Sequence, residues 1–304
     1  MSGVEFLTSL EMGLIYSIVA VGIYLTFRII DFPDLTCDGS FVLGAALSAG
    51  LIQHDMHVCF ALLLSAGGGV IAGLATGILH IKLRMSPLLA GILVAFMLYS
   101  INLRVMGGVP NITLSESLFT QYPGFSTIGI LSSLSLVIWY CLSRFLDTDF
   151  GLGLRSVGEN PKLGPLLGVN PRSMVLVGLG ISNGLVALGG GLFAHHQEFT
   201  DISQGVGTVI VGLAAVMIGE KLLPFRSLWV CILSCFAGSI LYRLIVALAL
   251  NANFLGLESY DLNLITGGLV IGVMMIPQRH KRRKISVIQE TVSLKTNGDH
   301  HADA

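Results

Sequence analysis

"DFPDLTCDGSFVLGAALSAG", residues 31–50, decides how this chain must be read. Asp31, Asp34 and Asp38 fall close together, with Pro33 and Gly39 among them, between two apolar stretches. The apolar run that follows, 40–53, is short for a membrane crossing, which needs roughly 17–25 residues. Non-helical backbone at membrane depth survives only where protein buries it or water reaches it. Acids and helix breakers placed here therefore predict a re-entrant turn that feeds a short helix. Asp34 and Asp38 either cap the first turn of that helix or meet a solute directly.

The rest of the chain sets the solvent. Of 304 residues, 53% are hydrophobic and 12% are charged, about half the charged share of an average soluble domain. A formal net charge of −1 gives no reason to expect a nucleic-acid partner. The five cysteines form no C-x-x-C pair, so neither a disulfide framework nor a zinc site is expected. No Lys or Arg precedes Arg28, so the positive region of a cleavable signal peptide is missing.

Long apolar segments fall at 12–30, 58–80, 87–104, 126–143, 173–194 and 227–249, with shorter ones at 40–53, 205–219 and 261–276. The expected fold class is thus an all-α polytopic membrane protein with about nine transmembrane or half-membrane helices. Placing the basic stretch "RHKRRK" (279–284) in the cytoplasm and alternating backwards puts all but Arg104 and Arg243 of the 17 basic residues on the cytoplasmic side. The pattern predicts the N-terminus outside and the C-terminus inside. It divides the chain into a permease-like domain, 1–277, and a basic then polar tail, 278–304, expected to be disordered. Gly69, Gly73 and Gly77 repeat at four-residue spacing, the mark of a helix face that lets another backbone approach closely.

The opening stretch has a partner. "FPDLT" (32–36) and "FTDIS" (199–203) carry Phe, Asp, a branched aliphatic residue and a hydroxyl in the same order, 167 residues apart. Each follows a long helix and precedes a short apolar run, and five crossings separate them. An odd number of crossings inverts the second copy. Two inverted-topology halves are therefore expected, about 12–104 and 173–276, with segment 126–143 as the joint. Short or broken segments at matching positions of two halves are the best sequence pointer to a transport pathway. The candidate pathway residues are Phe32, Asp34, Thr36 and Asp38 of the first turn, Phe199, Asp201 and Ser203 of the second, and Tyr99 and Asn102 of segment 87–104.

Residues 145–172 form the one long cytoplasmic loop. Asn160 and Pro161 suit the start of a short helix, and Gly168 suits its end. Leu163, Leu166 and Leu167 would give it an apolar face, for docking another protein or for lying on the inner membrane surface.

The pattern R-x-x-G-E-N-P-x-L-x-x-x-x-G-V, here Arg155 to Val169, resembles the coupling loop of ABC importer permeases of the branched-chain amino-acid and sugar permease family. "YLTFRIIDFPDLTCDGSFVLGAA" (24–46) and "KLRMSPLLAGILVAFMLYSINLRVMG" (82–107) resemble a narrower group, bacterial permeases assigned to aromatic amino-acid uptake. The resemblance covers nearly the whole chain to about residue 277, with departures at Cys37 and at the His195–His196 pair. It implies a homodimeric or heterodimeric permease in the bacterial inner membrane. It also implies cytoplasmic P-loop ATPase subunits and a periplasmic or lipoprotein solute-binding protein. ATPase coupling would then fall to Asn160, Pro161, Lys162, Leu163, Leu166, Leu167 and Gly168.

No G-x-x-x-x-G-K-[ST] occurs, so ATP hydrolysis is expected on a separate chain. No cofactor, catalytic residue or metal ligand set is expected. "HHQEFTD" (195–201) and "HDMH" (54–57) have ligand-like spacing, yet both sit where interface polarity is ordinary. Arg243 is expected to snorkel towards the outer surface. The leading reading is the membrane-spanning subunit of an ABC importer for a small polar solute, an amino acid by resemblance. A gradient-driven secondary transporter is the alternative, disfavoured because the charges cluster at segment ends. An intramembrane enzyme built on 195–201 is a third reading.

Overall fold

The computed structural model describes residues 3–114, 117–121, 126–160, 168–223, 227–250 and 262–275. The described part is all-α apart from one two-stranded ribbon. Helix α1 (Gly3–Tyr24) runs on through a π-helical turn, Leu25–Ile29, before the chain breaks. Helices α2 (Thr36–Gln53), α3 (Val58–Leu83) and α4 (Pro87–Val105) follow. Strand β1 (Asn111–Thr113) and the short α5 (Leu118–Gln121) lead to α6 (Thr127–Leu146) and α7 (Asp149–Glu159). Then come α8 (Pro171–Gln197), β2 (Phe199–Asp201), α9 (Thr208–Leu222), α10 (Leu228–Leu250) and α11 (Leu262–Met275). Among the described residues, six helices are long and apolar enough to cross a membrane. Residues 1–273 form one compact unit, and 274–304 a second of which Met274 and Met275 are described.

Backbone chemistry explains where the long helices stop. Tyr24 to Ile29 loosen from α to π geometry, Asp31 takes a left-handed conformation (φ 56°), and Pro33 follows. Asp tolerates that conformation better than most residues. α4 starts at Ser86, whose hydroxyl accepts from the Leu89 amide, with Pro87 in the first turn.

Helix packing shows the two halves. Gly22 lies against Ser182, and Gly189 lies against Val19, so α1 and α8 run antiparallel. That direction reversal inverts the second half relative to the first. α3 packs on α8, and reciprocally α10 packs on α1. The Ser239 hydroxyl donates to the Gly13 carbonyl (2.9 Å), and the Ser182 hydroxyl donates to the Gly22 carbonyl (2.7 Å). Shifted by the 167 residues of the sequence repeat, the contact between Gly13 and Ile240 falls on 180 and 73, one residue from the observed contact of Leu179 with Gly73. Lipid tails offer little drive to push helices together, so close backbone approach through small residues carries this packing.

One expectation is corrected. The stretch 145–172 is not a single loop, because 149–159 is helical. Thr148 caps α7 through its hydroxyl, which accepts from the Gly151 amide, and Asn160 lies at the C-terminal end of α7. Of the expected coupling residues, Pro161, Lys162, Leu163, Leu166 and Leu167 lie outside the described residues. Gly168 has φ +72°.

Candidate functional site

The two matched turns have the same internal chemistry. Asp34 Oδ1 accepts from the Thr36 amide (2.8 Å), and Asp201 Oδ1 accepts from the Ser203 amide (2.8 Å). The Ser203 hydroxyl also bonds the Asp201 carboxylate. In both, an aspartate closes an Asx-type turn onto the residue two positions on, which holds the backbone out of helical geometry.

Their surroundings differ. Asp34 is fully buried. Its second oxygen accepts from Asn183 Nδ2 of α8 (2.7 Å), and the Asn183 side-chain oxygen accepts from the Ser40 hydroxyl (2.7 Å). Asn183 Nδ2 also donates to the Leu179 carbonyl (3.0 Å), so all three groups are satisfied inside the protein. The Thr36 hydroxyl meets that of Thr76 on α3 (2.6 Å), which donates to the Ala72 carbonyl (3.2 Å). α4 passes so close that a methyl at Gly91 would reach the Leu35 amide. Phe32 is buried edge-on against His80. By contrast, the Asp201 turn is half-buried to exposed, and β2 pairs with β1 through Asn111 opposite Asp201 and Thr113 opposite Phe199.

Asp38 corrects the capping expectation. Its carboxylate does not close its own helix but reaches into the other half. Oδ1 accepts from the Val209 amide (2.9 Å), and Oδ2 accepts from the Gly207 amide (3.3 Å). Gly207, in left-handed geometry, precedes α9, so Asp38 caps α9 from outside its own sequence neighbourhood. Gly205 lies against the Asp38 carbonyl and Val42, where a side chain would collide. The N-terminal ends of α2 and α9 therefore meet. The positive ends of two short helix dipoles converge there, and one half-buried carboxylate lies between them.

α4 contributes unequally. Asn102 is buried and donates to the Gly39 carbonyl (3.2 Å), while its side-chain oxygen has no partner. Tyr99 is 54% exposed, so the two do not share a facing. Asn183, Ser40 and Thr76 are members of the site that the sequence did not single out.

The histidines are structural bonds. His195 is fully buried, Nδ1 accepts from the Leu118 amide (3.2 Å), and Nε2 lies 3.0 Å from the Ser48 hydroxyl. An accepting Nδ1 fixes the proton on Nε2 and makes the ring a donor to Ser48. His196 pairs with Glu11 at 2.9 Å. Among the described residues, no three His, Cys, Asp or Glu side chains gather as a metal site. Arg243 does not snorkel outward as expected, because its guanidinium lies over the Tyr16 ring at 4.0 Å.

Comparison with known proteins agrees with this architecture. The family of branched-chain amino acid transport system permease components matches residues 6–277. A tyrosine transport system permease protein of Clostridioides difficile is 38% identical, over 90% of this chain and 91% of the relative. The nucleoside ABC transporter permease protein NupC of Lactococcus lactis is 28% identical over 58% of this chain and 55% of its own length. The ribose import permease protein RbsC of Bacillus subtilis is 24% identical over 91% and 85%. No solved structure matches. The chain belongs to the branched-chain amino acid transport system permease family: it is a multi-pass permease subunit of an ABC importer, not an enzyme, and works with ATPase and solute-binding partners.

Proposed function

We propose that this permease imports an amino acid with an aromatic side chain, through the junction where α2 and α9 meet. The observation that carries the reading is the Asp38 carboxylate, which joins the two inverted halves by bonding the first amides of α9. Separating the halves requires breaking those bonds, so the junction is suited to alternate between outward and inward opening. Phe32, Asp34, Thr36, Asn102, Phe199, Asp201 and Ser203 shape the two turns that would move, and Tyr99 is exposed on α4. The permease works as a homodimer, with its N-terminus outside and its C-terminus inside. Partner ATPases engage 160–168, and a periplasmic or lipoprotein receptor delivers the solute. The substrate class rests on the relative named for tyrosine transport, which spans nearly the whole chain.

The test is uptake into proteoliposomes that hold the permease with its ATPase and receptor. L-Tyrosine is expected to accumulate in an ATP-dependent way, and guanosine and ribose are not. Accumulation of guanosine or ribose in place of every amino acid tried would sink the substrate class.

A further inference from the structure

Arg243 lies seven residues before the end of α10, roughly 10 Å of helix rise inside that end. A cation at such depth ordinarily pairs with an anion or faces a water-filled cavity. Here the guanidinium covers the Tyr16 ring, its Nε is buried without an acceptor, and neither ion pair among the described residues involves it. The aromatic face satisfies part of its charge. Among the described residues, no carboxylate pairs with its planar fork of donors.

Its position narrows what could supply one. Tyr16 also stacks on Phe41 (5.9 Å between centroids) and meets Phe193 edge-on (5.9 Å). Phe41 is one helical turn beyond Asp38, so the cation stands across a small aromatic cluster from the α2–α9 junction. Its position over Tyr16 also keeps it from extending towards the headgroups at the end of α10. We infer that Arg243 binds the carboxylate of the transported amino acid, with the guanidinium fork taking both oxygens. The inference rests on the amino-acid reading above and adds the residue that recognises the acid group.

The experiment measures equilibrium binding of L-tyrosine and L-tyrosine amide to the purified permease–ATPase complex in nanodiscs. Wild type, Arg243→Gln and Arg243→Lys are compared, in phosphatidylcholine and in phosphatidylglycerol. Arg243→Gln is expected to weaken L-tyrosine binding about tenfold, leave the amide unchanged and so erase the preference between them, with Arg243→Lys in between. Unchanged L-tyrosine binding in Arg243→Gln overturns the inference. Equal losses for both probes overturn it too, because they assign Arg243 a packing role. An effect confined to phosphatidylglycerol makes a lipid phosphate the anion and likewise overturns it. If the wild-type importer moves guanosine or ribose and no amino acid, the substrate reading fails and takes this inference with it. If tyrosine is imported but Arg243→Gln binds it normally, this inference alone fails.

Discussion

Asp34 and Asp38 stand four residues apart, and their surroundings separate their roles. Asp34 is fully buried and bonded to the Thr36 amide and to Asn183, so its removal leaves two donors unsatisfied in the interior. Each such orphan costs about 1–3 kcal/mol. Asp34→Ala is therefore expected to cost about 2–5 kcal/mol and to lower thermal stability and yield in detergent. Asp38 is half-buried and caps α9, a role worth about 0.5–2 kcal/mol. Asp38→Ala is expected to fold and bind its ATPase but to lose ATP-driven L-tyrosine uptake. Asp38→Asn keeps an oxygen acceptor but loses the charge facing the helix dipole, and should transport at an intermediate rate. Normal uptake by Asp38→Ala would remove this carboxylate from the mechanism.

Single helices show which parts of this arrangement the sequence could reveal. The turns at 32–36 and 199–203 were legible because their chemistry is local. An Asx turn needs only an aspartate and the residue two positions on, and both copies contain it. Asn183 and Ser40 were not legible, because they lie 149 and 143 residues from their partners. Only the register of α8 against α2 brings them together. α7 was missed for another reason, since Gly151, Gly153 and Gly158 disfavour a helix and tertiary contact overrides that preference. The glycine stripe on α3 was legible as a packing face but not which glycines are essential. A methyl at Gly69 would collide with the Asn183 carbonyl and the Ala187 methyl, whereas at Gly67 it would meet nothing within 4 Å. Gly69→Ala should cost about 1–3 kcal/mol or more through overpacking. Gly67→Ala should be neutral or stabilise by about 0.5–1 kcal/mol. Thermal unfolding of the two variants in the same detergent checks this, and equal midpoints would deny that α3 seats on α8 through Gly69.

At the scale of the whole molecule, the proposed engagement of partner ATPases at 160–168 would need a path from there to the α2–α9 junction. α7 leads directly into 160–168, and Gly158 packs against the Ile29 carbonyl with no room for a side chain. Ile29 ends the π turn of α1, Asp31 reverses the chain two residues later, and Asp34 anchors the turn to α8. An open pocket of about 350 Å³, lined in part by Tyr24, Arg28, Arg155 and Glu159, lies beside this contact. Arg28, in the π turn, bonds Glu220 near the end of α9, so both short-helix segments connect to the same place. On the proposed coupling, a displacement of α7 would act on both sides of the junction through continuous backbone and one ion pair. Gly158→Ala is expected to push α7 away from Ile29 while leaving 160–168 chemically intact. The variant should still co-purify with its ATPase, and ATP should still be hydrolysed, but L-tyrosine uptake per ATP should fall severalfold. Changing Leu163, Leu166 and Leu167 together to Asp should instead abolish co-purification. If Gly158→Ala also lost the ATPase, α7 would belong to the docking surface rather than to the transmission. If it transported normally, the signal would reach the junction by another helix.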